Sequence, residues 1–162
     1  MAELQKRGIS HRDVKPQNIL CFGKDGYKLS DFGEAKDKKK AYKVNNLDFD
    51  VNTKKQTVRG TELYMSPILF KALQMKGING AQYNAYKSDV FSLGMCFLIA
   101  SSLNYQSLFE IREIYDMEIV KKIVQKYLDK KYSQNYINLI LNMLQIDEKL
   151  RPDFIELNSM II

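Results

Sequence analysis

The sequence predicts a mostly α-helical domain carrying one small β-hairpin, and three stretches of the chain predict it. Residues 19–22 and 27–30 are short β-prone runs on either side of Gly23-Lys24-Asp25-Gly26. Glycines bracketing a polar pair between two such runs signal a tight hairpin. Residues 34–59 are polar, rich in Lys and Asn, and without periodicity, the pattern of a loop. Beyond residue 88, apolar side chains return at helical spacing: Ile119, Ile123 and Tyr127, then Tyr136, Ile140 and Met143. That spacing places each set on one helix face.

The remaining elements follow in chain order. Residues 2–7 look like the last turns of a helix closed by Gly8, because glycine takes the left-handed conformation of a C-cap without a Cβ penalty. Pro67 begins a short helix, and residues 76–84 form a Gly- and Asn-containing connection. Ser88 is a good N-cap for an apolar helix over residues 89–100. Pro152 opens a final helix, where its missing N–H costs little. At 162 residues the chain has a one-domain length and shows neither an internal repeat nor a second domain.

Composition narrows the function classes. Hydrophobic content of 45% with mixed charge describes a globular protein rather than a disordered one. Lys and Arg outnumber Asp and Glu by 25 to 19, and the excess is densest over residues 36–43. Without a pattern of interleaved aromatic residues or arginines, this run reads as a solvated loop, so no nucleic-acid partner is expected. Two cysteines, Cys21 and Cys96, do not make a disulfide framework. Cys96 sits in an apolar helical run and is expected as a buried thiol. The first seven residues lack the apolar stretch of a secretory signal, and residues 93–100 are too short to cross a bilayer. No membrane association is expected, and the cytoplasm is the expected location, with the nucleus left open.

The densest chemistry lies near the start. Residues 11–18 read His-Arg-Asp-Val-Lys-Pro-Gln-Asn, and Asp31-Phe32-Gly33 follows the hairpin. Further on come Gly60-Thr61-Glu62-Leu63-Tyr64-Met65-Ser66-Pro67, then Asp89 in Asp-Val-Phe-Ser-Leu-Gly, then Arg151-Pro152. Six fixed residues in the first motif arise by chance in on the order of one chain in several hundred thousand of this length. Together these stretches resemble the C-terminal lobe of a eukaryotic protein kinase of the serine/threonine type. The resemblance implies one partial kinase domain over residues 1–162. Its catalytic loop is 11–18, its metal loop 31–33, its activation segment 31–67 and its helical region 68–162. The N-terminal lobe is expected to be absent, because only ten residues precede His11.

The resemblance also implies roles. Asp13 matches the carboxylate that accepts the substrate hydroxyl proton, and Lys15 the lysine that steadies the transferring phosphate. Asn18 and Asp31 match the two oxygen ligands of Mg²⁺. Leu20 matches the floor beneath the adenine of ATP, or else is an ordinary strand residue. Thr61 matches the threonine that bonds both Asp13 and Lys15. His11 and Phe32 match packing residues, and Asp89 matches the helix-start aspartate that braces the catalytic loop. Lys15 followed by Pro16 is the serine/threonine pattern. The implied cofactors are ATP and Mg²⁺. The implied partners are a protein substrate with a Ser/Thr acceptor and an upstream activating kinase. Arg12 matches the arginine that pairs with an activation-loop phosphate. Thr57, four residues before Thr61, is the candidate phosphosite, with Lys36 and Arg59 as further docking cations. Thr53 is a second candidate, and an unmodified loop threonine is the plain alternative.

Three departures from the family pattern carry expectations. The chain holds no Gly-rich loop, strand lysine or helix glutamate before His11, so alone it is expected to transfer little phosphate. The rival to a kinase is a catalytically silent, kinase-like binding module, a pseudokinase or truncated regulator. Ile68 stands where the family has a glutamate that pairs with the arginine matched by Arg151. Arg151 must then find another partner or reach solvent. Glu62 stands where many relatives have proline, which alters the docking pocket. With so little helix ahead of the catalytic loop, the apolar face of residues 90–100 is expected to be partly uncovered.

Overall fold

The computed structural model describes residues 1–38, 56–75 and 81–161. Helix α1 (Ala2–Lys6) ends as its glycine requires: Gly8 adopts φ +84°, and its N–H reaches the Gln5 carbonyl at 2.8 Å. Four short strands follow: β1 (Ile9–Ser10), β2 (Ile19–Cys21), β3 (Tyr27–Leu29) and β4 (Lys36–Asp37). Strands β2 and β3 form the expected hairpin, each one residue shorter than the sequence indicates, with Ile19 opposite Leu29. Gly23 and Gly26 turn it at φ +59° and +84°. Strand β4 lies inside the stretch that reads as loop. It pairs antiparallel with β1, Ser10 opposite Lys36; a two-residue strand has no period to display, so only the tertiary pairing defines it.

Among the described residues, six further helices build the body. They are α2 (Pro67–Gln74), α3 (Ala85–Ser102), α4 (Gln106–Arg112), α5 (Met117–Leu128), α6 (Gln134–Met143) and α7 (Phe154–Ile161). The described residues are thus mostly α with small antiparallel pairs. Two predicted helix starts are corrected. Helix α3 begins at Ala85, because the Asn84 side chain accepts the N–H groups of Tyr86 and Lys87. Ser88 lies inside the first turn, its hydroxyl 3.0 Å from that of Ser66. Helix α7 begins at Phe154 rather than at Pro152. Asp153 accepts the N–H groups of Ile155 and Glu156, while the Glu156 carboxylate accepts that of Asp153, a reciprocal cap that fixes the start. On α5 the inward stripe is Val120, Ile123, Val124 and Leu128, whereas Ile119 faces solvent.

Helix α3 is the axis of the core. Val90, Phe91, Met95 and Leu98 are each 1% exposed or less, and full burial of such a side chain stabilises by about 1.5–3 kcal/mol. Being apolar all round, α3 shows no single buried face, as expected of a central helix. Its approach to α6 depends on Gly94, where a Cβ would lie 2.9 Å from that of Met143. The apolar face of residues 90–100 is covered in large part, while Leu93 and Phe97 stay partly exposed and Ala100 exposed. Phe154 and Leu157 of α7, Met143 of α6 and Met1 and Ala2 at the N-terminus pack around Val90, Leu93 and Phe97. Four exposed apolar side chains, Leu20, Phe22, Tyr27 and Phe32, lie on and beside the hairpin, and others, such as Leu103, Phe109 and Leu150, are spread over the helical part.

Two buried charges hold distant segments to α3. Arg151 is 1% exposed. Its Nε and Nη2 donate to the Gln145 carbonyl at 2.8 and 2.6 Å, and Nη2 also to Ile146 at 3.2 Å. Its Nη1 reaches the Lys87 carbonyl at 3.1 Å, and its guanidinium stands 4.9 Å over the Phe91 ring. Backbone carbonyls and a ring face thus replace the glutamate lost at Ile68, which packs with Met65, Leu69 and Phe70. Burial pushes the Arg151 pKa down to about 10, with Glu148 and Asp147 opposing. Asp89, in the first turns of α3, is 2% exposed. Its two carboxylate oxygens accept the backbone N–H groups of His11 at 2.7 Å and Arg12 at 2.8 Å. Burial pushes its pKa up to about 7, against those two hydrogen bonds.

Arg151→Ala should lower stability by about 3 kcal/mol or more, since it strips carbonyls of their donor and opens a cavity; urea unfolding measures it. Asp89→Asn should cost about 1–3 kcal/mol, because an amide turns an NH₂ toward one of the two N–H donors. The pH dependence has a definite sign. A native pKa near 7 against 3.8 unfolded means that the native state binds the extra proton between these values. The stability from this group is fully present below pH 4 and is lost as pH rises through 7. Unfolding midpoints from pH 4 to 8 should therefore show a difference between wild type and Asp89→Asn that narrows toward neutral pH.

Candidate active site

The segment after β1 is held before it can carry chemistry. His11 is fully buried. Its Nδ1 accepts the Asp13 N–H at 3.3 Å, so Nε2 carries the proton and donates to the Ser30 carbonyl at 2.9 Å. Phe32 meets the His11 ring edge-on at 5.0 Å, packing on one side while it remains half-exposed on the other. Arg12 and Asp31 both adopt left-handed backbone, at φ +70° and +56°. Such conformations cost non-glycine residues energy and persist where surrounding contacts over-determine them. For Arg12 that contact is the Asp89 carboxylate.

Three side chains, those of Thr61, Lys15 and Asn18, converge on Asp13. Its Oδ1 accepts the Thr61 N–H at 2.9 Å and the Thr61 hydroxyl at 2.8 Å. Its Oδ2 lies 2.8 Å from Lys15 Nζ and 3.4 Å from Asn18 Nδ2. Lys15 Nζ also donates to Thr61 Oγ1 at 2.9 Å. Burial alone would push the Asp13 pKa up, but the hydrogen bonds from Lys15 and Thr61 outweigh it and hold the carboxyl below its ordinary value. The group is therefore ionised at neutral pH. Gly60 makes the approach of Thr61 feasible. It adopts φ +111°, and a Cβ there would stand 2.7 Å from the Arg12 carbonyl oxygen.

Asn18 is buried and gives Nδ2 to the Asp13 carbonyl at 2.9 Å. Its own carbonyl accepts both the N–H and the hydroxyl of Ser30, which joins the loop to the residue just before Asp31. Asp31 is exposed and accepts the Gly33 N–H at 3.2 Å. With Nδ2 committed, Asn18 has Oδ1 as its donor to a cation. Among the described residues no cluster of three or more His, Cys, Asp or Glu could hold a metal. One carboxylate and one amide oxygen nonetheless fit Mg²⁺, a hard cation that keeps several waters and binds substrate phosphates alongside few protein ligands. Leu20 stands on β2 opposite Lys28, 44% exposed.

A second convergence lies on the other side of the loop. Arg12 Nη2 donates to the Thr57 carbonyl at 2.7 Å and hydroxyl at 2.9 Å. The Tyr83 hydroxyl donates to the same carbonyl at 3.4 Å. Lys36 Nζ reaches Gln56 Oε1 at 3.4 Å, and its pKa is lowered by burial and by the Arg12 charge. Arg59 is turned to Glu34 at 3.5 Å instead. Thr53 lies outside the described residues. Sequence reasoning names no role for Tyr83, Gln56, Ser30 or Gly60. Only Gly60 carries a local signal, a glycine beside a motif threonine; the others reach the site through pairings such as Gln56 with Ala81.

Comparison with known proteins gives the family. The protein kinase domain model matches residues 1–160. The serine/threonine-protein kinase cds1 of Schizosaccharomyces pombe is 30% identical over 156 residues, covering 93% of this chain and 30% of that protein. The serine/threonine-protein kinase chk-2 of Caenorhabditis elegans is 32% identical over 164 residues, covering 96% and 30%. The probable serine/threonine-protein kinase nek3 of Dictyostelium discoideum is 33% identical over 160 residues, covering 95% and 13%. The chain thus spans less than a third of the length of these relatives. Matched by the family model along almost its whole length, it is a member of the eukaryotic protein kinase superfamily.

Proposed function

We propose that this chain forms the catalytic half of a serine/threonine protein kinase that transfers the ATP γ-phosphate to protein Ser/Thr hydroxyls when completed by an upper lobe. The observation that carries this is the closed set of bonds among Asp13, Lys15 and Thr61, with Asn18 on the second Asp13 oxygen. Phosphoryl transfer needs an aligned hydroxyl and neutralised phosphate charge more than covalent help. Asp13, held ionised, orients the acceptor hydroxyl and takes its proton. Lys15, oriented by Thr61, meets the charge on the transferring phosphate. Asn18 and Asp31 would hold Mg²⁺, which when bound neutralises the ATP phosphates. Leu20 would lie beneath the adenine. Lys15 followed by Pro16 supports a Ser/Thr acceptor.

The 162 residues supply the metal and acceptor sides of such a site, and the phosphate-covering loop and strand lysine are not among them. The exposed Leu20, Phe22 and Tyr27 suit a surface that meets an upper lobe. A silent binding module of the same fold is the second reading. No helix among the described residues is long and apolar enough to cross a membrane. Thr57 is the proposed regulatory phosphosite. It already meets Arg12, and Lys36 adds positive charge nearby. A phosphate there would bring nearly two negative charges to two cations.

Phosphotransfer by the chain fused to a kinase upper lobe tests the proposal. Asp13→Asn and Asp31→Asn should each lower kcat by about 10²-fold or more. Asp31→Asn should leave thermal stability little changed, whereas Asp13→Asn should cost about 1–3 kcal/mol because its NH₂ meets the donors that the carboxylate accepts. A near-normal rate in either variant refutes the role given to that residue. For regulation, phosphopeptide mapping of the active fusion should find phosphate on Thr57. Thr57→Ala should lower turnover about tenfold, of the order of one lost charge-assisted contact. An unmodified Thr57 with full activity in the alanine variant sinks the assignment.

A further inference from the structure

Away from the reacting groups, a single peptide unit just ahead of α3 is gripped from two sides. The Asn84 N–H donates to Glu148 Oε1 at 3.0 Å, and the carbonyl of the same unit, on Tyr83, accepts Gln56 Nε2 at 3.0 Å. A peptide unit is planar, so its N–H and C=O turn together and each grip fixes the other. Gln56 is 5% exposed. Its backbone exchanges hydrogen bonds of 2.7 and 2.9 Å with Ala81, and its side-chain oxygen accepts Lys36 Nζ. The next residue is Thr57, whose carbonyl accepts both Arg12 Nη2 and the Tyr83 hydroxyl. Residues 81–84 thus clasp the segment that meets Arg12. Glu148 is held firmly in its turn. The N–H groups of Leu150 and Arg151 close the 147–151 turn on the Asp147 carbonyl. Arg151 Nη1 on the Lys87 carbonyl and Lys87 Nζ on the Lys149 carbonyl then fasten that turn to the start of α3.

We infer that Glu148 is a positioning residue for the contact between Arg12 and Thr57, acting through the Tyr83–Asn84 peptide and Gln56. Its part is that of a hydrogen-bond acceptor at a set reach. Without it the Asn84 N–H loses its partner, and the peptide plane is free to turn. Turning withdraws the Tyr83 carbonyl from the buried Gln56 amide, which then loosens the residue beside Thr57. The negative charge of Glu148 is secondary. It faces Arg151 and Lys87, which together with the Asn84 hydrogen bond oppose the rise that burial imposes on its pKa. Arg151, however, already has backbone carbonyls for its guanidinium. Only the effect on turnover rests on the reading of Thr57 as the regulatory residue.

Amide hydrogen exchange of the chain without nucleotide reads such opening residue by residue. Two mild variants separate reach from charge. Glu148→Asp keeps the charge and shortens the side chain by one methylene; Glu148→Gln keeps the reach and an acceptor oxygen but removes the charge. In Glu148→Asp the amides of Gln56 and Ala81 should exchange about tenfold faster or more, and that of Leu98 in the core of α3 less than about threefold faster. The Arg12 Nε–H resonance should shift in the same variant. In Glu148→Gln all of these should stay close to wild type. Equal acceleration of all three amides in Glu148→Asp shows a general loss of stability and overturns the inference. Unchanged exchange at Gln56 and Ala81, or an unmoved Arg12 signal, overturns it too. So does opening in Glu148→Gln without opening in Glu148→Asp, because charge would then be the acting property. On the fused protein, Glu148→Asp should lower turnover about as far as Thr57→Ala and add less than about twofold to that variant. Local opening of the clasp with unchanged turnover supports the positioning role and refutes the regulatory reading of Thr57.

Discussion

Every feature of the candidate site traces back to one buried carboxylate. Asp89 sits at the start of the central helix and takes the backbone N–H groups of His11 and Arg12 on its two oxygens. Those bonds span more than seventy residues of chain, so they join the loop to the central helix of the core. Burying a carboxylate is costly, and the rise of its pKa to about 7 records that cost. Two short hydrogen bonds offset it. In return the loop backbone is fixed in a conformation that it would not choose, with Arg12 at positive φ. Asp13 then points to one side of the loop and the Arg12 side chain to the other, toward Thr57.

The second constraint is the return of the chain at Gly60 and Thr61. Asp13 alone, partly buried, would drift toward protonation. Lys15 and the two donors of Thr61 reverse that tendency, so part of what keeps the carboxyl ionised comes from a residue 48 positions away. The same bonds orient Lys15. A carboxylate and an ammonium 2.8 Å apart form a pre-set dipole, and such preorganisation is how enzymes meet charge that develops in a reaction. The approach has no slack, because any side chain at position 60 would run into the Arg12 carbonyl.

Arg151 shows how a family contact can be lost without exposing its partner. The expected carboxylate is replaced at position 68 by isoleucine. The guanidinium nevertheless stays buried, because its planar fork matches three backbone carbonyls and its face matches the Phe91 ring. Neutral acceptors repay desolvation less fully than a carboxylate does, which agrees with the lowered pKa. Next to Thr61 in the chain, Glu62 bonds Arg112 on α4. The segment is thereby tied to a different helix.

Much of the molecule was legible along the chain. The hairpin, the helical body, the C-cap at Gly8 and the Asp13, Lys15, Asn18, Asp31 and Thr61 set all lie in short stretches whose residue types act locally or stand in fixed motifs. The misplaced boundaries share a cause. Ser88 is as good a cap as Asn84, and Pro152 as good a helix opener as Asp153; the choice fell to which side chain reached the free N–H groups. The coverage of α3 was not legible either, because it comes from helices at both ends of the sequence meeting on one face. Strand β4, the carbonyl cage of Arg151 and the meeting of Arg12 with Thr57 follow the same rule. By itself the sequence determined which chemical groups the protein carries and which local conformations they favour. Only the tertiary structure decided their partners, because hydrogen bonds and charges act over a few ångströms of space whatever the distance along the chain.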